Sequence, residues 1–162
     1  MPCKFRVIYF PSRGRADVAR WILAYSKADW EDVRVTKDEY PKIKADMPNG
    51  QLPVLEVTGE DGKVCKISQS ATIVRALAHK FNLAGKTPKE CVQADEVFET
   101  LRDIMQTAYE GMYASTEEKK AEMKKRMCEQ VLPRNLKFLE KRLADNGGKY
   151  LIGGDCVCFF YI

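Results

Sequence analysis

The chain predicts an α/β domain followed by an all-helical one, on three observations. Through about residue 80, short apolar runs of strand period alternate with helical patterns. Residues 81–88, FNLAGKTP, then interrupt both periods with Asn82, Gly85 and Pro88. Beyond them only long helical periodicities remain. The expected division is a first domain over residues 1–80, a linker over 81–88 and a helical domain over 89–162.

Residues 4–9, KFRVIY, alternate Phe5, Val7 and Tyr9 against Lys4, Arg6 and Ile8, the period of a half-buried strand, and Pro11 and Gly14 end it. From Arg15 the positions Ala19, Ile22, Leu23 and Ser26 recur at helical spacing, so a helix packs back on the sheet. Residues 30–35 supply a second strand, and Pro41 opens a short helical stretch over 40–47. Val54, Leu55 and Val57 make a third, Glu60-Asp61-Gly62 turns the chain, and residues 64–67 return beside it. Pro53 has no N–H to give a ladder and so suits the first position of its strand; a cis bond before it would leave the Leu52 backbone facing outward. Gln69-Ser70 begins a helix whose free N–H groups would receive a carboxylate well. The resulting order, βαβαββα, is the thioredoxin-like one. In the second domain residues 89–112 read as one helix, with Val92, Val97, Leu101, Ile104, Met105 and Ala108 available for a buried face. Residues 116–143 read as another, with Met127, Val131, Leu132, Leu136, Leu139 and Leu143 inward and a kink at Pro133.

Composition bounds the function classes. At 162 residues, 45% apolar and 31% charged, the chain can bury a proper core, and no run approaches the length of a membrane helix. Met1-Pro2-Cys3-Lys4 leads straight into a strand-like run, so no secretory signal is expected. Six cysteines at irregular positions (3, 65, 91, 128, 156 and 158) are expected to be free thiols of a reducing compartment, with the cytoplasm as default. The net charge of +4 lies in mixed blocks such as Glu117-Glu118-Lys119-Lys120, which suit solvated helix faces better than nucleic acid. His79 is the one histidine and no Cys-x-x-Cys pair occurs, which speaks against a zinc site, a serine or cysteine triad and a thiol-disulfide oxidoreductase. Neither a metal nor a nucleic-acid or membrane partner is expected.

Two segments carry a family resemblance. Gln51-Leu52-Pro53-Val54-Leu55 followed by Gln69-Ser70 resembles the glutathione-binding half of cytosolic glutathione transferases. Tyr9-Phe10 followed by Arg13-Gly14-Arg15-Ala16 is similar to the sigma class of that family, the class that includes haematopoietic prostaglandin D synthase. The resemblance implies the glutathione transferase fold, glutathione as co-substrate, a cytoplasmic location and a homodimer. It implies that the Leu52 backbone, before a cis-Pro53, pairs with the cysteinyl part of glutathione, beside Gln51. Gln69 and Ser70 would take the γ-glutamyl carboxylate, Tyr9 would activate the thiol and Arg15 would order the site. Tyr40-Pro41-Lys42-Ile43-Lys44 resembles the family's Trp-Pro-x-x-Lys, so Tyr40, in place of tryptophan, and Lys44 would hold the glycine carboxylate. Glu99-Thr100-Leu101-Arg102-Asp103 resembles a segment whose last aspartate reaches the partner subunit's glutathione, a part that falls to Asp103. Arg102 stands where some prostaglandin synthases carry an acidic residue, so no divalent-cation cluster is implied.

Read by their types alone, the same residues have plainer parts. Tyr9 is a strand-end aromatic with its hydroxyl in water, Arg15 an exposed helix arginine, Ser70 an N-cap, Pro53 a strand boundary and Asp103 a surface charge. The chemistry that would distinguish Tyr9 is simple. A free thiol has a pKa of about 8.5, so a conjugating enzyme must favour the thiolate. Lowering that pKa by about two units takes roughly 2.7 kcal/mol, and one charge-assisted hydrogen bond from a tyrosine hydroxyl contributes about 1.5 to 3 kcal/mol. The acceptor would meet the turn around Phe10 and Ser12 and the helix bearing Met105, Tyr109 and Met112; a Met and Tyr stripe of this kind also suits a core or an interface.

The resemblance runs to about residue 155. There the family continues with a Thr-x-x-Asp capping box and further helices, whereas here Cys158 and Tyr161 hold the two capping positions. A C-terminally truncated helical domain, its last helices missing and an apolar patch exposed, is the expectation. The implied activity is conjugation of the glutathione thiolate to apolar electrophiles. The alternatives are glutathione-dependent prostaglandin isomerisation, or a non-enzymatic S-crystallin-like or inactive truncated form.

Overall fold

A computed structural model describes residues 4–153. The first unit has strands β1 (Lys4–Tyr9), β2 (Trp30–Arg34), β3 (Val54–Thr58) and β4 (Val64–Ser68), with helices α1 (Asp17–Tyr25), α2 (Tyr40–Ile43) and α3 (Ser70–Lys80). The sheet order is β2-β1-β3-β4. β1 runs parallel to β2 with Phe5 opposite Trp30. It runs antiparallel to β3 with Val7 opposite Leu55, and β3 is antiparallel to β4 with Leu55 opposite Ile67. This is the thioredoxin-like α/β domain that the order of periods predicts, and an all-helical domain follows it.

The main core forms where α1 and α3 pack together, burying Ala19, Ile22 and Leu23 of α1 and Ile73, Val74 and Leu77 of α3, with Phe5, Val7 and Leu55 of the sheet also buried. Strict alternation along β1 fails at Ile8, which is 5% exposed. Ile8 pairs with Val54 and packs with Val35 and Met47, while Val33, Tyr40, Ile43 and Leu52 close over them. The connection from β2 to β3 therefore covers the second face at the end of β1. Elsewhere on that face, charge replaces apolar cover. Arg6 bridges Glu31 on β2 at 2.9 Å and Glu56 on β3 at 2.7 Å, and Lys66 on β4 reaches Glu56 at 3.5 Å. α2 is entered through a reciprocal cap: the Thr36 N–H and hydroxyl donate to the Glu39 carboxylate at 2.8 and 2.7 Å, and hold that carboxyl below its usual range.

The chain divides into two compact units between Leu83 and Ala84. The second contains α4 (Pro88–Met112), α5 (Glu117–Arg126) and α6 (Leu132–Asp145). Thr87 and Thr116 cap α4 and α5 by accepting the Glu90 and Lys119 N–H groups, each at 3.2 Å. α4 buries Ala94, Val97, Phe98 and Thr107. Val92 and Met105, expected inside, are 70% and 39% exposed, and Ala108 is exposed too. Where a kink is expected at Pro133, the regular helix is interrupted just upstream: residues Met127–Val131 form a π turn in which the Leu132 N–H reaches the Met127 carbonyl. Pro133 has no N–H for the Glu129 carbonyl, and the wider turn absorbs the missing bond before the proline is reached. Leu136, expected inward, is 49% exposed, while Asn135 is buried beside it. The expected loss of the capping box at residues 156–162 lies outside the described residues. Among the described residues no helix is long and apolar enough to cross a membrane, and Cys65, Cys91 and Cys128 are free thiols.

Candidate functional site

Tyr9 ends β1, and its backbone carbonyl accepts the Val35 N–H at 2.9 Å. Its side chain is nearly buried. The hydroxyl oxygen accepts the Arg15 N–H at 3.4 Å, the ring meets Phe10 edge-on at 5.6 Å, and Phe10 in turn meets Tyr40 at 5.3 Å. Gly14 lies between, at φ +53°, and a Cβ on it would stand 2.9 Å from the Tyr9 hydroxyl. This turn can be made only by a residue without a side chain.

Beneath the turn lies Arg20, a residue that sequence reasoning missed. Its side chain is 7% exposed. It donates to Asp32 at 2.9 Å, to the Ser12 carbonyl at 2.7 Å and to Asp17 at 3.2 Å, and its guanidinium carbon lies 5.8 Å from the Tyr9 ring centre. A signal was available: a charged residue sits inside the apolar stripe of α1, between Ala19 and Ile22.

A cavity of about 450 Å³ opens on the first unit. Phe10 and Arg15 line it from the β1–α1 turn, Tyr40 from α2, Gln51, Leu52 and Pro53 from the approach to β3, and Gln69 and Ser70 from the start of α3. The Leu52–Pro53 peptide is cis. Ser70 is the first residue of α3 and not its cap; the capping position belongs to Gln69, which gives no side-chain cap. Gln69 stands at φ +70°, ψ 112°, a conformation that a residue with a side chain rarely adopts and that the sequence does not announce. Tyr9 and Lys44 are not in the wall. Tyr9 touches two residues that are, and Lys44 is exposed, with its side chain close against Gly50. The Tyr40 hydroxyl donates to the Gly50 carbonyl, so its ring rather than its hydroxyl faces other partners.

Comparison with known proteins gives this cavity a context. Residues 6–79 match the glutathione S-transferase N-terminal domain, and residues 102–157 match the glutathione S-transferase C-terminal domain. Hematopoietic prostaglandin D synthase of Mus musculus is 39% identical over 158 residues, covering 93% of this chain and 74% of that protein. The chain belongs to the glutathione S-transferase family. Glutathione S-transferase S1 of Drosophila melanogaster is 37% identical over 149 residues, covering 92% of this chain and 58% of the fly protein. A solved sigma class transferase of Fasciola hepatica superposes with a TM-score of 0.86 at 32% identity, covering 98% of this chain and 76% of that one. The chain thus spans 58% of the fly transferase's length and about three quarters of the other two.

The transferase residues expected in the second unit are not gathered in one place. Asp103 is exposed, 3.7 Å from Arg134, at a cavity of about 230 Å³ that Glu110 and Arg126 also line. Met105 and Met112 are 39% and 65% exposed, and Tyr109 stacks on Tyr113 at 6.4 Å. Ser12, in the first unit, is exposed and offers its carbonyl to Arg20 rather than lining the cavity. A larger space of about 690 Å³ lies between the start of α4 and the end of α6, lined in part by Lys89, Glu90, Lys141 and Asp145. Among the described residues no group of three or more His, Cys, Asp or Glu side chains could hold a metal ion.

Proposed function

We propose that the protein is a sigma-like glutathione transferase that binds glutathione on its first unit and transfers the thiolate to apolar electrophiles. The observation that carries the reading is the 450 Å³ cavity, which collects Arg15, Tyr40, Gln51, Leu52, Pro53, Gln69 and Ser70 from four separate stretches of chain. The backbone of Leu52 pairs with the cysteinyl part of the tripeptide. The N-terminus of α3, with Gln69 and Ser70, receives the γ-glutamyl carboxylate. Lys44 supplies positive charge for the glycine carboxylate beside the Tyr40 ring, whose hydroxyl is committed to Gly50. The Tyr9 hydroxyl, one of its lone pairs occupied by the Arg15 N–H, donates its proton to the glutathione sulfur and stabilises the thiolate. The sulfur then attacks the acceptor carbon, forming the C–S bond as the leaving group departs with its electron pair, or as a polarised double bond takes the electrons and then a proton.

For the acceptor, Phe10 supplies an apolar wall beside Ser12 on the first unit; on α4 of the second, the proposal takes the exposed Met105 and Met112 and the half-buried Tyr109 as an adaptable apolar surface. A cytoplasmic homodimer, with Asp103 reaching across to the partner's glutathione, completes the proposal. A second reading, glutathione-dependent prostaglandin isomerisation, is favoured by the 39% identity to the mouse synthase, which exceeds the 37% to the fly transferase. The test is a pH titration of bound glutathione by thiolate absorbance, on the 162-residue chain beside Tyr9→Phe. The parent should ionise bound glutathione about two units below the free thiol, and Tyr9→Phe should remove most of that shift. Bound glutathione that ionises at the free-thiol pKa in both would refute it.

A further inference from the structure

The β1–α1 turn places the Tyr9 hydroxyl, and its carbonyls have to be held by something. Of the guanidinium's donors, Nε goes to the Asp32 carboxylate at 2.9 Å. Nη1 goes to the Ser12 carbonyl at 2.7 Å, the Asp17 carboxylate at 3.2 Å and the Arg13 carbonyl at 3.4 Å. Nη2 goes to the Phe10 carbonyl at 3.5 Å. The same group sits 5.8 Å from the centre of the Tyr9 ring. We propose that Arg20 is a positioning residue for the thiolate site: it fixes residues 10–13 and the Tyr9 ring, so that the Tyr9 hydroxyl meets the Arg15 N–H and presents its proton outward.

The proposal rests on the glutathione reading for its functional consequence, but its geometry stands on its own. Three carbonyls of one turn point at one planar cation, and two carboxylates from different elements, α1 and β2, neutralise it. A buried guanidinium in this setting acts as a template: its fork sets the mutual angles of five acceptors. Lysine carries the same charge on a single nitrogen with three donors, and cannot meet Asp32, Ser12 and Phe10 together. The turn would then be free to settle differently, and the 3.4 Å contact from Arg15 to the Tyr9 hydroxyl, already long for a hydrogen bond, would be the first to go.

The test compares the 162-residue chain with Arg20→Lys, with the charge-neutral double variant Arg20→Met/Asp32→Asn, and with Tyr9→Phe. Four quantities are read: hydrogen exchange at the Arg15 amide, the pKa of bound glutathione, glutathione affinity and melting temperature. Arg20→Lys should speed Arg15 exchange by about tenfold, raise the bound-thiol pKa by about one unit, and change glutathione affinity by less than about threefold. Tyr9→Phe should speed the same amide, because it loses the same acceptor. An arginine that only supports the fold would lower melting temperature and affinity together, leaving the Arg15 amide and the thiol pKa of the folded protein unchanged; that result overturns the proposal. The double variant should behave as Arg20→Lys does, and if it fails to fold, Arg20→Lys decides alone. A parent chain that does not depress the thiol pKa refutes the glutathione reading, and Arg15 exchange then still decides whether Arg20 places Tyr9.

Discussion

Gly14→Ala separates the backbone from the chemistry at this turn. The residue sits at φ +53°, where an L side chain costs about 1 to 2 kcal/mol. For a chain of this length that lowers the melting temperature by about 2 to 8 °C. The new methyl also meets the Tyr9 hydroxyl at 2.9 Å and Cε1 at 3.3 Å. Relief requires the hydroxyl to retreat by roughly 0.5 Å to reach ordinary contact, which stretches its 3.4 Å bond from Arg15 beyond the hydrogen-bonding range. A donor worth about 1.5 to 3 kcal/mol to the thiolate is then misplaced, and the bound-thiol pKa should rise by about one unit. Gly62→Ala is the control. Its φ is +76° but no atom lies within 4 Å of the added Cβ, so it carries the backbone cost alone. Thermal melts and thiolate titrations of both variants make the assay: both should melt lower, and only Gly14→Ala should shift the pKa. If Gly14→Ala melts lower yet titrates like the parent, the close approach at Tyr9 does not govern the thiolate, and the reasoning fails.

Gln69→Gly should stabilise the fold by about 1 kcal/mol, since it relieves a positive φ at the mouth of α3, yet weaken glutathione binding by removing the side chain; calorimetry would expose a destabilised variant, which would mean that the conformation carries no strain. Asn135→Leu should raise stability by about 1 to 3 kcal/mol, because the buried Asn135 Nδ2 finds no acceptor among the described residues. The Asn135 Oδ1 accepts from the Arg134 Nε at 3.2 Å, an exposed-end bond that leucine gives up; denaturant unfolding reads the balance, and a loss of stability would mean that this bond outweighs the unsatisfied Nδ2.

Much of this was legible in the sequence because it is local. Strand and helix periods, and Asn, Gly and Pro at the 81–88 break, report elements of a few residues each, and the order βαβαββα follows from them. The motif residues from Tyr9 to Ser70 could likewise be named in advance. Ile8 could not be placed, since what covers it is a connection some forty residues further on, folding Met47 and Leu52 over the end of β1. Leu136, expected inward, is exposed and Asn135 is buried because the π turn before Pro133 rotates the helix that follows, which a single helical period does not capture.

The sequence alone determined the two-part architecture, the family and the roster of residues around the cavity, since each depends on residue type and short spacing. Only the tertiary structure decided which of them share a wall. It drew Arg15, Tyr40, Leu52 and Gln69 to one cavity and left Tyr9 just outside it, joined through Phe10 and Arg15. It also showed that Arg20 is buried among carbonyls from a turn several residues earlier and a carboxylate on a neighbouring strand. Such an arrangement depends on the directions of acceptors brought together by packing, and directions in space are not encoded at any fixed spacing along a chain.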